Sequence, residues 1–199
     1  MKQFLSSQFS HFEKDDINPG TEIKEALFVF CAWALPAFGF VLWANKYYPD
    51  VEFYQSAISE GVGPNLWNAI GAFGFFSFGI AIVLSKLSLP AKVARHILSN
   101  TYAIGCLTFG LIVGQWCILI FNQELVWWHR GLFGVTSGFL LVIVFLYNLI
   151  VWYMYYLIKN DGDGKSPFLV KLEQMNFLWR LFIGLVVALL ITVIFLSER

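Results

Sequence analysis

Hydrophobic residues along this chain do not alternate with polar ones; they run in long blocks. Five blocks stand out, Ala26–Ala44, Leu66–Ser85, Thr101–Phe121, Gly131–Leu157 and Leu178–Leu196, and Arg180 is the only Asp, Glu, Lys or Arg inside them. A helix rising ~1.5 Å per residue needs about 20 apolar residues to cross a ~30 Å hydrocarbon core. The blocks therefore predict an all-α fold, a polytopic membrane protein built as a five-transmembrane-helix bundle. Helices buried in a soluble protein carry a polar stripe, and these blocks carry none. The expected organisation is a single five-helix membrane domain over 26–196, preceded by an N-terminal segment, 1–25.

The connections have patterns of their own. Leu5, Phe9 and Phe12 recur at i, i+4 and i+7 with Phe4 alongside. This predicts a short amphipathic helix lying on the cytoplasmic membrane surface, with a frayed tail as the alternative. Asn18-Pro19-Gly20 breaks it, and Thr21 is the candidate N-cap of the first span, with Glu22 in its first turn. The opening MKQFLSSQFSHFEKDD has no apolar core of 7–15 residues, so the first span rather than a cleaved signal is expected to direct insertion. Residues 50–60 (DVEFYQSAISE) put Val51, Tyr54 and Ile58 on one side of a second surface helix. This longest external loop is the segment expected to cover a cavity or contact a partner. Residues 89–100 (LPAKVARHILSN) predict a short helix carrying Lys92, Arg95 and His96. Ordinary inner-side basic bias explains these cations, and anionic headgroups are the second reading.

One connection imitates chemistry. KNDGDGKSPF, 159–168, contains the GKS of a phosphate-binding loop and the D-x-D-G of a calcium loop. The phosphate loop requires Gly where Lys159 stands and a preceding strand. The calcium loop requires a carboxylate at Lys159 and Glu at Val170. Both fail at their defining positions, and the Asn-Asp-Gly cluster followed by Pro167 reads as a hydrophilic turn.

Composition sharpens the class. The chain is 58% hydrophobic, 19% aromatic and 13% charged with zero net charge, and its mean hydropathy is +0.67; soluble domains carry about 25% charge. Scattered basic residues give no nucleic-acid footprint. Cys31, Cys106 and Cys117 fall in predicted spans without C-x-x-C pairs or neighbouring histidines, so neither a disulfide framework nor a metal is expected. Lys and Arg set orientation. Lys2, Lys14, Lys24, Lys86, Lys92, Arg95, Lys159, Lys165, Lys171 and Arg180 fall on one side, and Lys46, Arg130 and Arg199 on the other. That bias places the N-terminus in the cytoplasm and the C-terminus outside. Trp43, Trp67, Trp127 and Trp128 mark the outer interface, Trp152 and Trp179 the inner one, and Trp33 and Trp116 lie deeper. The expected location is a bacterial inner or plasma membrane, with which the absence of an external N-x-[ST] acceptor is compatible without establishing it.

Within the spans, small residues repeat at helical spacing: Cys106, Gly110 and Gly114 in the third, Gly134 and Gly138 in the fourth, and Gly184, Ala188 and Thr192 in the fifth. Such stripes let helix backbones approach closely. They predict a tightly packed centre of these three spans, with the second span at the periphery and Pro36 kinking the first. Gln115 and Asn148 are the uncharged polar side chains left at depth; each is expected to bond a carbonyl or hydroxyl of a neighbouring helix, with a ligand site as the alternative. The external cluster Glu124, Trp127, Trp128, His129 and Arg130 is the most chemically loaded stretch, a candidate ligand or partner contact. No haem pair, cofactor motif or catalytic set is legible. Three functions follow: a non-enzymatic accessory, subunit or immunity-type partner of another membrane protein or of itself; a small oligomeric channel or transporter; and a lipid-modifying enzyme using Glu124, His129 and Arg130. The first is the expectation. Beyond the lipid bilayer, no nucleic-acid or metal partner is expected.

Overall fold

A computed structural model of the chain describes residues 12–13, 17–60, 64–121, 126–160 and 166–196, without side chains at 59–60, 64–70 and 190–196. Their regular structure is helical throughout. The helices are α1 (Glu22–Tyr47), α2 (Glu52–Glu60), α3 (Pro64–Val83), α4 (Ser88–Ile120), α5 (Trp127–Ile158), α6 (Pro167–Gln174) and α7 (Phe177–Leu196). Three of them, α1, α4 and α5, are long and apolar enough to cross a membrane, and shorter apolar stretches occupy Gly71–Val83 and Phe177–Leu189. A membrane-embedded helical protein is what these elements build.

Each apolar block lies in a helix, and the helix ends refine the picture. The first span starts at Glu22, after a turn in which Gly20 adopts φ +49° and donates its N–H to the Asn18 side chain at 3.2 Å. Only glycine takes that left-handed conformation without a steric penalty. α1 then continues through Pro36 to Tyr47. The surface helix expected at 50–60 is α2. The short helix expected at 89–100 is not separate: α4 runs unbroken for 33 residues from Ser88 through the third span. Pro90 falls in its first turn, where a missing N–H costs nothing, and no breaker lies between Asn100 and Thr101. The Thr101 hydroxyl bonds the Ile97 carbonyl one turn back at 2.9 Å. α6 was not expected. Ser166 caps it, accepting the Leu169 N–H at 3.2 Å, Pro167 follows, and Leu169 and Leu172 are buried on one face. The N-terminal helix proposed around Leu5 and Phe9, and most of the Asp-Gly turn, lie outside the described residues.

The chain divides into two compact units. One takes the described residues of Met1–Ile23, Asn68–Thr101 and Val151–Arg199, the other Lys24–Trp67 and Tyr102–Ile150. In the first unit α3 is not peripheral. Phe75, Phe78, Ala81 and Ile82 are buried. A Cβ on Gly79 would stand 2.7 Å from the Gly184 carbonyl oxygen and 3.3 Å from Ala188, and one on Gly74 3.3 Å from Leu98. Glycines let α7 and the first turns of α4 approach the α3 backbone, and Phe75 and Phe78 fill the space beside them, while Phe76 is exposed. Alternating small and aromatic residues thus made a two-sided packing surface rather than an edge. The segment 17–22 is tied to the end of α5: Tyr153 and Tyr156 donate to the Ile17 and Asn18 carbonyls at 2.9 and 3.0 Å, and Lys159 pairs with Glu22 at 3.0 Å.

The second unit packs α1 on α4. A Cβ on Gly110 would run into the Ala34 backbone carbonyl, and one on Gly114 would meet Val41 at 2.7 Å. Phe30, Phe109 and Phe145 interlock with centroids 5.1 to 6.1 Å apart. Tyr102 donates to the Ala26 carbonyl at 2.7 Å. α2 seats Ile58 in a core with Ala37, Val41, Ala44 and Leu111.

Candidate functional site

The external cluster falls at the start of α5, where the helix leaves four N–H groups without intrahelical partners. Glu124 lies outside the described residues. Trp127 is 81% exposed, Trp128 and His129 are exposed, and the His129 ring lies against Trp128 at 3.7 Å between centroids. Arg130 is half-buried, and its Nε bonds no described group. The turn thus presents indole faces, an imidazole and a guanidinium at one helix end. Among the described residues nothing joins these side chains to Gln115 or Asn148, so the sequence-predicted residues form no single pocket.

Gln115 does separate work. Its Nε2 donates to the Ile58 carbonyl at 2.9 Å. Ile58 is in the last turn of α2, where carbonyls lack intrahelical donors, so the amide supplies a C-terminal cap from another helix. Gln115→Leu is expected to lower stability by about 1 kcal/mol and to speed amide exchange in α2 while leaving that of α4 unchanged. Equal protection of α2 in both proteins would show that the tether is idle. Asn148 is fully buried and turns its amide to its own helix, donating to the Val144 carbonyl at 2.9 Å, and its Oδ1 has no described partner.

Aromatic rings gather where α2 meets α1. Trp43, Tyr48 and Tyr54 stand 4.9 to 5.7 Å apart by centroid. Rings at that separation touch one another, leaving no space for a cation between them, so the trio is packing.

The small-residue stripes divide by what they meet. Cys106, Gly110 and Gly114 are buried, and the two glycines face α1. Gly184 and Ala188 face α3, and the side chain of Thr192 is outside the described residues. Gly134 and Gly138 differ: their nearest neighbours are the side-chain ends of Ile120 at 3.4 Å and Trp116 at 3.9 Å, and Gly131 has open space. Trp116 reaches across to α5, donating to the Ser137 hydroxyl at 2.7 Å, and its bulk stands between the helices.

Sequence reasoning missed the most buried cation among the described residues. Arg180 is 5% exposed, donates from Nη1 to the fully buried Ser85 hydroxyl at 2.8 Å, and lies over the Phe177 ring at 5.8 Å. Its Nε has no partner among the described residues. Its place among the inner-side basic residues gave no sign of burial; nothing in sequence pairs it with a serine 95 positions away.

No protein-family model matches the chain, and no similar curated protein or solved structure emerges from comparison with either set.

Proposed function

We propose that this chain is a non-enzymatic integral membrane protein that acts as an accessory, subunit or immunity-type partner of another membrane protein. In this reading α3 and α7, each 20 residues long, cross the bilayer beside α1, α4 and α5. Five crossings put the N-terminus in the cytoplasm and the C-terminus outside, in a bacterial inner or plasma membrane. The basic-residue bias supports that orientation.

The observation that carries the proposal is the exposed side of α5. Over its most apolar stretch only 11% of α5 is buried, against 28% for α1 and for α4. Val135, Phe139, Val142 and Leu146 stand on the exposed face. Lipid covers such a face as readily as protein does, so apolarity alone does not select a partner. Helix association in lipid is driven by close backbone approach at small residues. Gly131, Gly134 and Gly138 border this face without serving such an approach among the described residues. A glycine costs a helix about 1 kcal/mol relative to alanine, and a second membrane helix laid along this edge would recover it in packing.

The test is purification in mild detergent, with mass spectrometry of what accompanies the chain, combined with Gly131→Leu, Gly134→Leu and Gly138→Leu. The partner is expected in stoichiometric amount with the wild type and reduced at least tenfold when the glycines are filled. A cysteine at 131 should cross-link to it, and one at Leu140 should not. A wild-type chain that emerges alone, or only as a uniform self-oligomer, contradicts the heteromeric role.

A further inference from the structure

We propose that the recess between the first turn of α4 and the first turn of α6 is a binding site for a phosphate group, carried by a lipid headgroup or by a soluble phosphate. Ser88, Lys92 and Arg95 line it from α4, Asn160 from just beyond α5 and Ser166 from the cap of α6, with Ala91, Ile158 and Leu169 as apolar walls. Every one of these residues lies in the same compact unit. Including its open mouth the recess measures about 280 Å³. Its enclosed part holds only about 20 Å³, room for one group the size of a water, so a phosphate would sit at the open mouth with a single oxygen inside.

Three independent features favour an anion. Lys92 and Arg95 are three residues apart on one helix face, and neither forms an ion pair among the described residues. Two cations converging on a partly closed space repel each other unless an anion joins them. Next, α4 begins at Ser88 and α6 at Pro167, so two positive dipole ends border the same space, while Ser166 already takes the Leu169 and Val170 N–H groups. Finally, Ser166 is 2% exposed; its Oγ accepts the Leu169 N–H, and its hydroxyl hydrogen goes to no described group. Phosphate oxygens accept hydrogen bonds and carry charge, which matches Ser88, Lys92, Arg95 and Ser166 at the polar part of a lining that is otherwise largely apolar. Inner-side basic bias accounts for the presence of Lys92 and Arg95. It does not account for their facing a second helix N-terminus across a recess.

The experiment compares the full wild-type chain with Lys92→Gln/Arg95→Gln in one nonionic detergent, against two probes. Native mass spectrometry follows retained phosphatidylglycerol, and intrinsic tryptophan fluorescence follows titration with inorganic phosphate. Each cation removed should weaken the favoured probe about fivefold, and the pair about 25-fold. Lys92→Gln alone, at an exposed position, preserves the comparison should the double variant fail to fold. Weakened phosphatidylglycerol retention with inorganic phosphate indifferent identifies a lipid headgroup. Weakened inorganic phosphate binding identifies a soluble ligand. Equal affinity of wild type and variants for both probes, or no binding of either by the wild type, overturns the proposal.

Discussion

Gly110→Leu is expected to leave no monodisperse protein in detergent, whereas Gly138→Ala purifies at wild-type yield. The difference lies in what each glycine faces. At Gly110 even a methyl group enters the backbone carbonyl of Ala34, and at Gly138 it finds the end of Trp116 at 3.9 Å. A side chain can rotate aside, but a carbonyl in the middle of α1 moves only if the helix moves. Overpacking against side chains costs about 1–3 kcal/mol; against helix backbone it exceeds that and approaches the 5–15 kcal/mol that holds a whole protein folded. Gly184→Leu should fail equally in the other unit, since its Cβ would stand 2.6 Å from Val83 and 2.7 Å from the Gly79 carbonyl oxygen. Fluorescence-detected size exclusion reads both results. Normal elution of Gly110→Leu would mean that α1 and α4 do not pack as described.

Arg180→Glu should likewise prevent folded protein from accumulating, and Ser85→Ala should cost about 2 kcal/mol, within the ~1.5–3 kcal/mol of a hydrogen bond to a charged group. The guanidinium lies just past the C-terminal turn of α3, where unpaired carbonyls favour a cation. It spends one donor on Ser85, the hydroxyl nearest that end. A carboxylate in its place meets the negative end of the dipole in a buried position. Thermal melting of Ser85→Ala in detergent measures the smaller effect. An unchanged midpoint would show that the Arg180–Ser85 bond carries no weight.

Much of the fold was legible because lipid imposes one simple demand: every backbone group must be bonded within its own segment. That demand writes each helix as a long apolar block, and each block was found in a helix. The surface helix at 50–60 was legible for a different reason, the spacing of Val51, Tyr54 and Ile58, and Ile58 is the residue that it buries. What escaped is settled by partners. The burial of α3 depends on whether another helix supplies a glycine opposite Gly79, and Gly184 lies more than a hundred residues away. Gly134 and Gly138 have the same spacing as Gly110 and Gly114, yet Trp116 and Ile120 keep α4 at side-chain distance from them. α6 had a readable start in Ser166-Pro167 and a readable face in Leu169 and Leu172, but its 8 residues are too few to form an apolar block. Of the candidate site, Trp127 to Arg130 were recognisable as a cluster, whereas the recess at Lys92 and Arg95 exists only because α4 and α6 begin side by side.

The proposed role rests on five helices crossing a bilayer, where three are long and apolar enough to do so by themselves. With Cys31, Cys106 and Cys117 replaced by alanine, single cysteines at Asp50, Lys86, Val126, Lys159 and Ser197 can be probed in intact cells with a membrane-impermeant maleimide, before and after permeabilisation. The account predicts labelling of 50, 126 and 197 in intact cells, and of 86 and 159 only after permeabilisation. Labelling of all five positions on one side, or release of the protein from membranes by alkaline carbonate, would contradict it.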